Sequence, residues 1–157
     1  MEAVAQPEPP RGIYPARVDD KGRLKLPADF QKYLQDLGET KVFMTTFDGK
    51  VARIYPISVW RSNEALLSEG GEETEQAEDL WFVANDLGGD AVMDNQGRLL
   101  VPPELRRALG IENAPVRLEY YKGHFNLYSE AVYQERKARA MANLAEKLKA
   151  FEKKGLR

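Results

Sequence analysis

Apolar and polar residues alternate over short stretches of this chain, and each stretch runs into a turn signal. Residues 13 to 18 lead to Asp19-Asp20-Lys21-Gly22, after which Leu24 and Leu26 flank Lys25 with the period of a strand. The spacing predicts a β-hairpin that stops at Pro27. Phe30, Tyr33, Leu34 and Leu37 then recur at helical intervals, and Gly38 stands where a helix would end. A second hairpin is predicted from 42 to 55, turning at Asp48-Gly49. A helix from about 57 to 68, with Ile57, Trp60 and Leu67 on its packed face, completes the series. The series then begins again. Gly70-Gly71 and an acidic run lead to a helix at about 73 to 85, and Asp94-Asn95-Gln96-Gly97 repeats the first turn. Leu105, Ala108 and Leu109 repeat the short helix ahead of Gly110. Strands at 116 to 121 and 125 to 128 meet near Lys122-Gly123. One helical segment at about 130 to 153 sets Met141, Leu144, Leu148 and Phe151 along a stripe. The pattern predicts a mainly β, α+β protein with peripheral helices.

The recurrence is literal at the first turn. Asp19-Asp20-Lys21-Gly22-Arg23 and Asp94-Asn95-Gln96-Gly97-Arg98 stand 75 residues apart, followed by Leu24-Lys25-Leu26-Pro27 and Leu99-Leu100-Val101-Pro102. Residues 30 to 34 lie opposite 105 to 109 without a gap, and Arg53-Ile54-Tyr55 lies opposite Asn126-Leu127-Tyr128. Two copies are too few for a stacked array, which needs about three. They predict two halves closing on a shared core with pseudo-twofold symmetry. In each turn the aspartate is suited to accept backbone amide hydrogens, and Gly22 and Gly97 supply the positive φ such turns often demand.

Composition narrows the chemistry. The 157 residues allow one ordinary domain or two small halves sharing a core, and 43% apolar with 31% charged residues describes a soluble globular chain. No apolar run approaches the roughly 18 to 20 residues of a membrane span. The opening MEAVAQPEPPRG lacks the basic and apolar regions of a signal peptide and reads as a short disordered lead, 1–10. The absence of cysteine removes disulfides, thiolate nucleophiles and thiolate metal sites. His124 is the single histidine and sits in a predicted strand, so packing or surface exposure is expected rather than metal ligation. The acidic run from Glu69 to Asp79 lacks the ligand spacing of a calcium loop. There is no phosphate-binding glycine loop or nucleophile elbow, and Ser58, Ser62, Ser68 and Ser129 have no base nearby in sequence. The expectation is a cytoplasmic protein that is not an enzyme, with no cofactor, metal, membrane or small-molecule substrate.

Charge is segregated along the chain. The net charge is −2, yet residues 11 to 25 carry five basic side chains against two acidic, and 135 to 157 carry eight against three. Residues 61 to 79 carry seven acidic against one basic. A basic face on an acidic protein is compatible with these numbers, as are ordinary solvated helices. Tyr120, Tyr121, Phe125, Tyr128 and Tyr133 have the strand spacing of buried core and interface rather than of a single-strand stacking platform.

The doubled turn, each copy opening a half of this length, resembles the MraZ family of bacterial transcriptional regulators. The likeness covers about residues 11 to 140 and includes Gly12, Tyr14 and Arg53-Ile54-Tyr55-Pro56 with Trp60. A lone copy would resemble the AbrB and MazE swapped-hairpin DNA binders, in which two chains supply the halves. The resemblance implies a double-split β-barrel formed within one chain. It also implies a ring-shaped homo-oligomer and repression of the division and cell-wall gene cluster through tandem direct repeats in promoter DNA. That function places the protein in the cytoplasm, associated with the nucleoid.

On this reading Arg23 and Arg98 contact DNA, supported by Lys21, Arg17 and Lys25, while Asp19, Gly22, Asp94 and Gly97 shape the turns and orient the arginines. Gln96 replaces Lys21 and Leu100 replaces Lys25 in the second copy, so the first hairpin is expected to carry the larger share of binding. The expected organisation is a first repeat at 11–69, an acidic connector at 70–88, a second repeat at 89–134 and a C-terminal basic helix and tail at 135–157. One rival is an antitoxin-like interaction module without direct DNA contact, using the acidic segment or the C-terminal helix. An enzyme built on Asp19 and Asp94 is disfavoured, because basic turns hold both carboxylates ionised.

Overall fold

Ile13–Val18 (β1) and Arg23–Lys25 (β2) form the first hairpin, followed by Ala28–Leu37 (α1). Lys41–Thr46 (β3) and Val51–Pro56 (β4) form the second, followed by Ile57–Glu69 (α2). A 3-10 turn at Gly71–Glu73 leads to Thr74–Leu87 (α3). The series then recurs as Gly89–Val92 (β5), Arg98–Leu100 (β6), Pro103–Leu109 (α4), Ala114–Tyr121 (β7), His124–Ser129 (β8) and Glu130–Met141 (α5). Leu144–Glu152 (α6) closes the chain. These elements belong to a computed structural model that describes residues 6–157.

Local chemistry sets the element ends. Pro27 (φ −57, ψ 152) and Pro102 (φ −53, ψ 136) cannot extend a strand ladder and stand immediately before α1 and α4. Both helices end in the same way. Gly38 and Gly110 adopt left-handed backbone and donate to Gln35 and Arg107 carbonyls, while the following amides of Glu39 and Ile111 reach back to Leu34 and Arg106.

The eight strands form one antiparallel sheet in the order β5-β3-β4-β8-β7-β1-β2-β6, which curls into a nearly closed barrel. The halves exchange strands: β1 pairs with β7, and β5 pairs with β3. Two pairings match residues that correspond in the repeat, Leu24 with Leu99 and Arg53 with Asn126. The pseudo-twofold axis therefore passes through both. The core is shared, with Leu24, Leu26, Phe30 and Leu34 meeting Leu99, Val101, Leu105 and Leu109. Phe30 lies edge-on to Phe125, their centroids 4.8 Å apart. Outside the barrel, α2 and α3 cover β3 and β4. Phe43 stacks on Trp60 at 4.4 Å, and the Thr45 hydroxyl donates to the Ala84 carbonyl at 2.6 Å. Phe125 and Tyr128 are buried as their strand spacing predicts, whereas Tyr121 stays exposed.

The C-terminal segment differs from expectation. It breaks at Ala142–Asn143, with Asn143 in the left-handed region at φ 54, and gives two helices instead of one. Neither helix buries a single residue. High helix propensity masked the break in the sequence, and among the described residues no burial of the apolar stripe holds the segment as one straight rod. At the other end, residues 6–10 of the expected lead lack regular structure, and Pro10 is buried. Residues 1–5 lie outside the described residues. Among the described residues no helix is long and apolar enough to cross a membrane.

Candidate nucleic-acid interface

The two turns are built from the same bonds. Asp19 Oδ1 accepts the amide hydrogens of Lys21 and Arg23, both at 2.9 Å, and Oδ2 accepts the Arg23 Nε–H at 2.8 Å. Asp94 Oδ1 accepts the amides of Gln96 and Arg98 at 2.9 Å, and Oδ2 accepts the Arg98 Nε–H at 2.8 Å. Gly22 and Gly97 each donate an amide hydrogen to the aspartate carbonyl at 3.0 Å. One carboxylate thus ties down a turn and an arginine together.

The same bonds hold both carboxyls below the usual aspartate range. The backbone amide of Arg23 is the leading cause for Asp19, and that of Arg98 for Asp94. A folded pKa below the unfolded one gives stability that is complete above the unfolded value, about 3.9, and is lost as pH falls through the folded value. The expected outcome is that the wild-type urea midpoint falls below about pH 4, and that an Asp19→Asn/Asp94→Asn variant, weaker at neutral pH, falls less over that window.

Each turn is braced by the opposite half. The Leu26 amide donates to Gly97 O, and the Val101 amide donates to Gly22 O, both at 2.9 Å. From α1, Gln31 donates to Leu26 O at 2.7 Å, and from α4, Arg106 donates to Val101 O at 2.5 Å. These side chains lie across the turn glycines: a Cβ on Gly22 would fall 2.1 Å from Arg106 Nη1, and one on Gly97 2.1 Å from Gln31 Cδ. Gly22 also has φ +82. Gly22→Ala should therefore cost about 1–2 kcal/mol in backbone strain, plus the displacement of Arg106. Gly49→Ala, with φ +73 and open space around it, should show the backbone cost alone. Urea denaturation of the two variants separates the terms.

Between the turns lies a short ribbon. Leu24 and Leu99 point inward and are fully buried, so Arg23, Lys25, Arg98 and Leu100 take the outward face. The register sets Arg23 opposite Leu100 and Lys25 opposite Arg98, and the Lys25 ammonium donates to the Gln96 carbonyl of the second turn. Lys25 belongs to the first copy in sequence and to the second turn in space, so the basic charge is shared more evenly than the sequence order implies. Lys21 has no side-chain partner among the described residues. Arg17, at the turn end of β1, donates to both the main-chain and side-chain oxygens of Asn113 at 3.0 Å. With each Nε held by aspartate, the Nη groups of Arg23 and Arg98 are without a partner among the described residues. Those are the two atoms with which an arginine grips a guanine edge or a phosphate.

His124 plays no part in this surface. It is buried on β8 with Nε2 facing Asn126 Oδ1 at 2.9 Å, and burial lowers its pKa. Among the described residues no cluster of three or more His, Asp or Glu could hold a metal. Sequence reasoning passed over Arg106 and Gln31. The available signal was their spacing, since they are 75 residues apart, the same interval as the turns they brace.

No protein-family model matches the chain. Transcriptional regulator MraZ of Koribacter versatilis is 42% identical over 103 residues, covering 65% of this chain and 70% of the relative. Transcriptional regulator MraZ of Burkholderia cenocepacia is 30% identical over 144 residues, covering 90% of this chain and 97% of the relative. The chain belongs to the MraZ family. A 144-residue match within 157 residues necessarily spans both turns, so the likeness to a MraZ protein takes in both halves of the barrel. Transcriptional regulator MraZ of Acidobacterium capsulatum, 41% identical over 98 residues, covers 62% of this chain and 67% of that relative. As a MraZ-family protein the chain is a transcriptional regulator.

Proposed function

We propose that this chain is a sequence-specific DNA-binding regulator that represses the promoter of the division and cell-wall gene cluster, reading tandem direct repeats as a ring-shaped homo-oligomer. The observation that carries the reading is the outward ribbon, where Arg23, Lys25 and Arg98 share one face and two arginines keep their Nη groups available. Each aspartate holds its arginine by Nε, so the fork presents end-on with less rotamer freedom to lose on binding. Such a fork suits guanine O6 and N7. The aspartates repel phosphate, and their role in this reading is orientation. Lys21 and Arg17 lie beside the first turn and Lys25 beside the second, where each adds a phosphate contact.

In this reading the repeats at 11–69 and 89–134 supply one turn each, joined by 70–88. One ribbon offers few contacts, and linked ribbons on adjacent repeats gain affinity through effective concentration. Mobility shift on DNA from upstream of the chain's own gene tests this: binding should be tighter to a duplex with tandem repeats than to one with a single repeat. Equal affinity for both would contradict the assembly. Lys21→Ala should leave base preference intact and reduce the slope of log K against log salt by about one unit.

A further inference from the structure

The α2/α3 hairpin carries an apolar surface that its own chain leaves bare. Phe82 is 71% exposed and Leu66 69%. Beside them opens a groove of about 720 Å³ lined by Leu67, Trp81 and Phe82, with Glu69, Glu78 and Asp86 as its charged residues among those described. The groove is apolar and acidic, and among the described residues no basic residue lines it. At the far end of the chain α6 has the opposite character. Leu144, Leu148 and Phe151 fall at i, i+4 and i+7 on one face, and every residue of the helix is exposed. Around that stripe, residues 144 to 157 carry five basic side chains against two acidic. Bare apolar surfaces of this kind on a soluble protein mark contact sites. Within the protomer the two do not meet, because among the described residues the groove is lined by the α2/α3 hairpin alone.

We propose that α6 of one protomer docks in the α2/α3 groove of the next, with Leu144, Leu148 and Phe151 against Leu67, Trp81 and Phe82 and the flanking lysines against the acidic lining. This inference rests on the self-assembly in the proposed function and names the two faces that make it. A second copy of this chain is the occupant because the chain itself supplies both the basic amphipathic helix and its acidic apolar receptor. The two faces differ, so the contact is heterologous: each protomer gives a helix to one neighbour and receives one from the other, which closes a ring when the rotation allows. Neither face includes a residue of the β2/β6 ribbon, which stays free for DNA.

The test uses full-length protein and light-scattering mass. A helix variant, Leu148→Glu/Phe151→Glu, and a groove variant, Glu78→Lys/Phe82→Lys, alter only exposed side chains, and unchanged circular-dichroism melts verify their folds. Wild type should run as an assembly and each variant at the protomer mass of 17.8 kDa. An equimolar mixture should form a 1:1 pair and nothing larger, because each variant retains one intact face and the pair has none left to extend. Variants that keep the wild-type mass, or a mixture that stays monomeric, would overturn the docking while leaving self-assembly standing. Wild type running at 17.8 kDa would overturn the self-assembly reading and the docking with it.

Discussion

Arg23→Ala combined with Arg98→Ala should sharply weaken sequence-specific DNA binding, with affinity falling at least about 30-fold on the basis of about 1–3 kcal/mol for each bidentate contact. Fold stability should barely move. The arginine–aspartate pairs sit at the surface, where ion pairs contribute little, and each aspartate keeps two backbone amides when its arginine is cut back. Single variants should fall between wild type and the double. Arg23→Lys should bind no better than Arg23→Ala, because an ammonium cannot bond the aspartate through one nitrogen and fork to a base through two others. Fluorescence anisotropy at one fixed salt concentration, beside a thermal melt, separates loss of contact from loss of fold.

Leu99→Ala should produce the largest stability change at the ribbon. Leu99 is fully buried on the pseudo-twofold axis, opposite Leu24. Truncation removes its transfer energy and leaves a cavity that strands paired from both halves cannot easily close, at a cost of about 3 kcal/mol. Leu24→Ala should cost a similar amount, because the two leucines hold corresponding places in one shared core. Against a typical domain stability of about 5–15 kcal/mol either change is severe, and the double variant should be largely unfolded. In urea the midpoint should fall while the denaturant slope stays near the wild-type value. Each single variant, under conditions where it stays folded, should keep DNA affinity within a few-fold, the reverse of the Arg23→Ala/Arg98→Ala outcome.

Much of this architecture was legible because it is written twice. The interval between Asp19 and Asp94 gave the internal symmetry, and prolines and glycines at matching positions gave the strand and helix ends. The Asp–Arg pairing was legible because Asp-x-x-Gly-Arg leaves a carboxylate few other partners within one turn. Exchange between the halves was harder to see. Lys25 joins the second turn, and Arg106 and Gln31 brace turns belonging to the opposite repeat, because β1 pairs with β7 and β2 with β6 instead of each half closing on itself. Hydrophobic period identifies which face of an element is buried without identifying its partner. The C-terminal stripe shows the limit of that rule: Met141, Leu144, Leu148 and Phe151 have the spacing of a packed helix face and are all exposed in the single chain.

The most direct test of the ribbon as the DNA surface is site-specific photo-crosslinking. Leu100 is 57% exposed at the centre of the outward face, opposite Arg23, so a photoreactive benzoylphenylalanine placed there samples whatever the ribbon touches. On irradiation with a duplex from upstream of the chain's own gene, crosslinking to DNA is expected from position 100 and not from the same probe at position 82 on the α2/α3 hairpin. DNA captured from position 82 but not from position 100 would contradict the assignment of Arg23, Lys25 and Arg98 to the DNA-reading face.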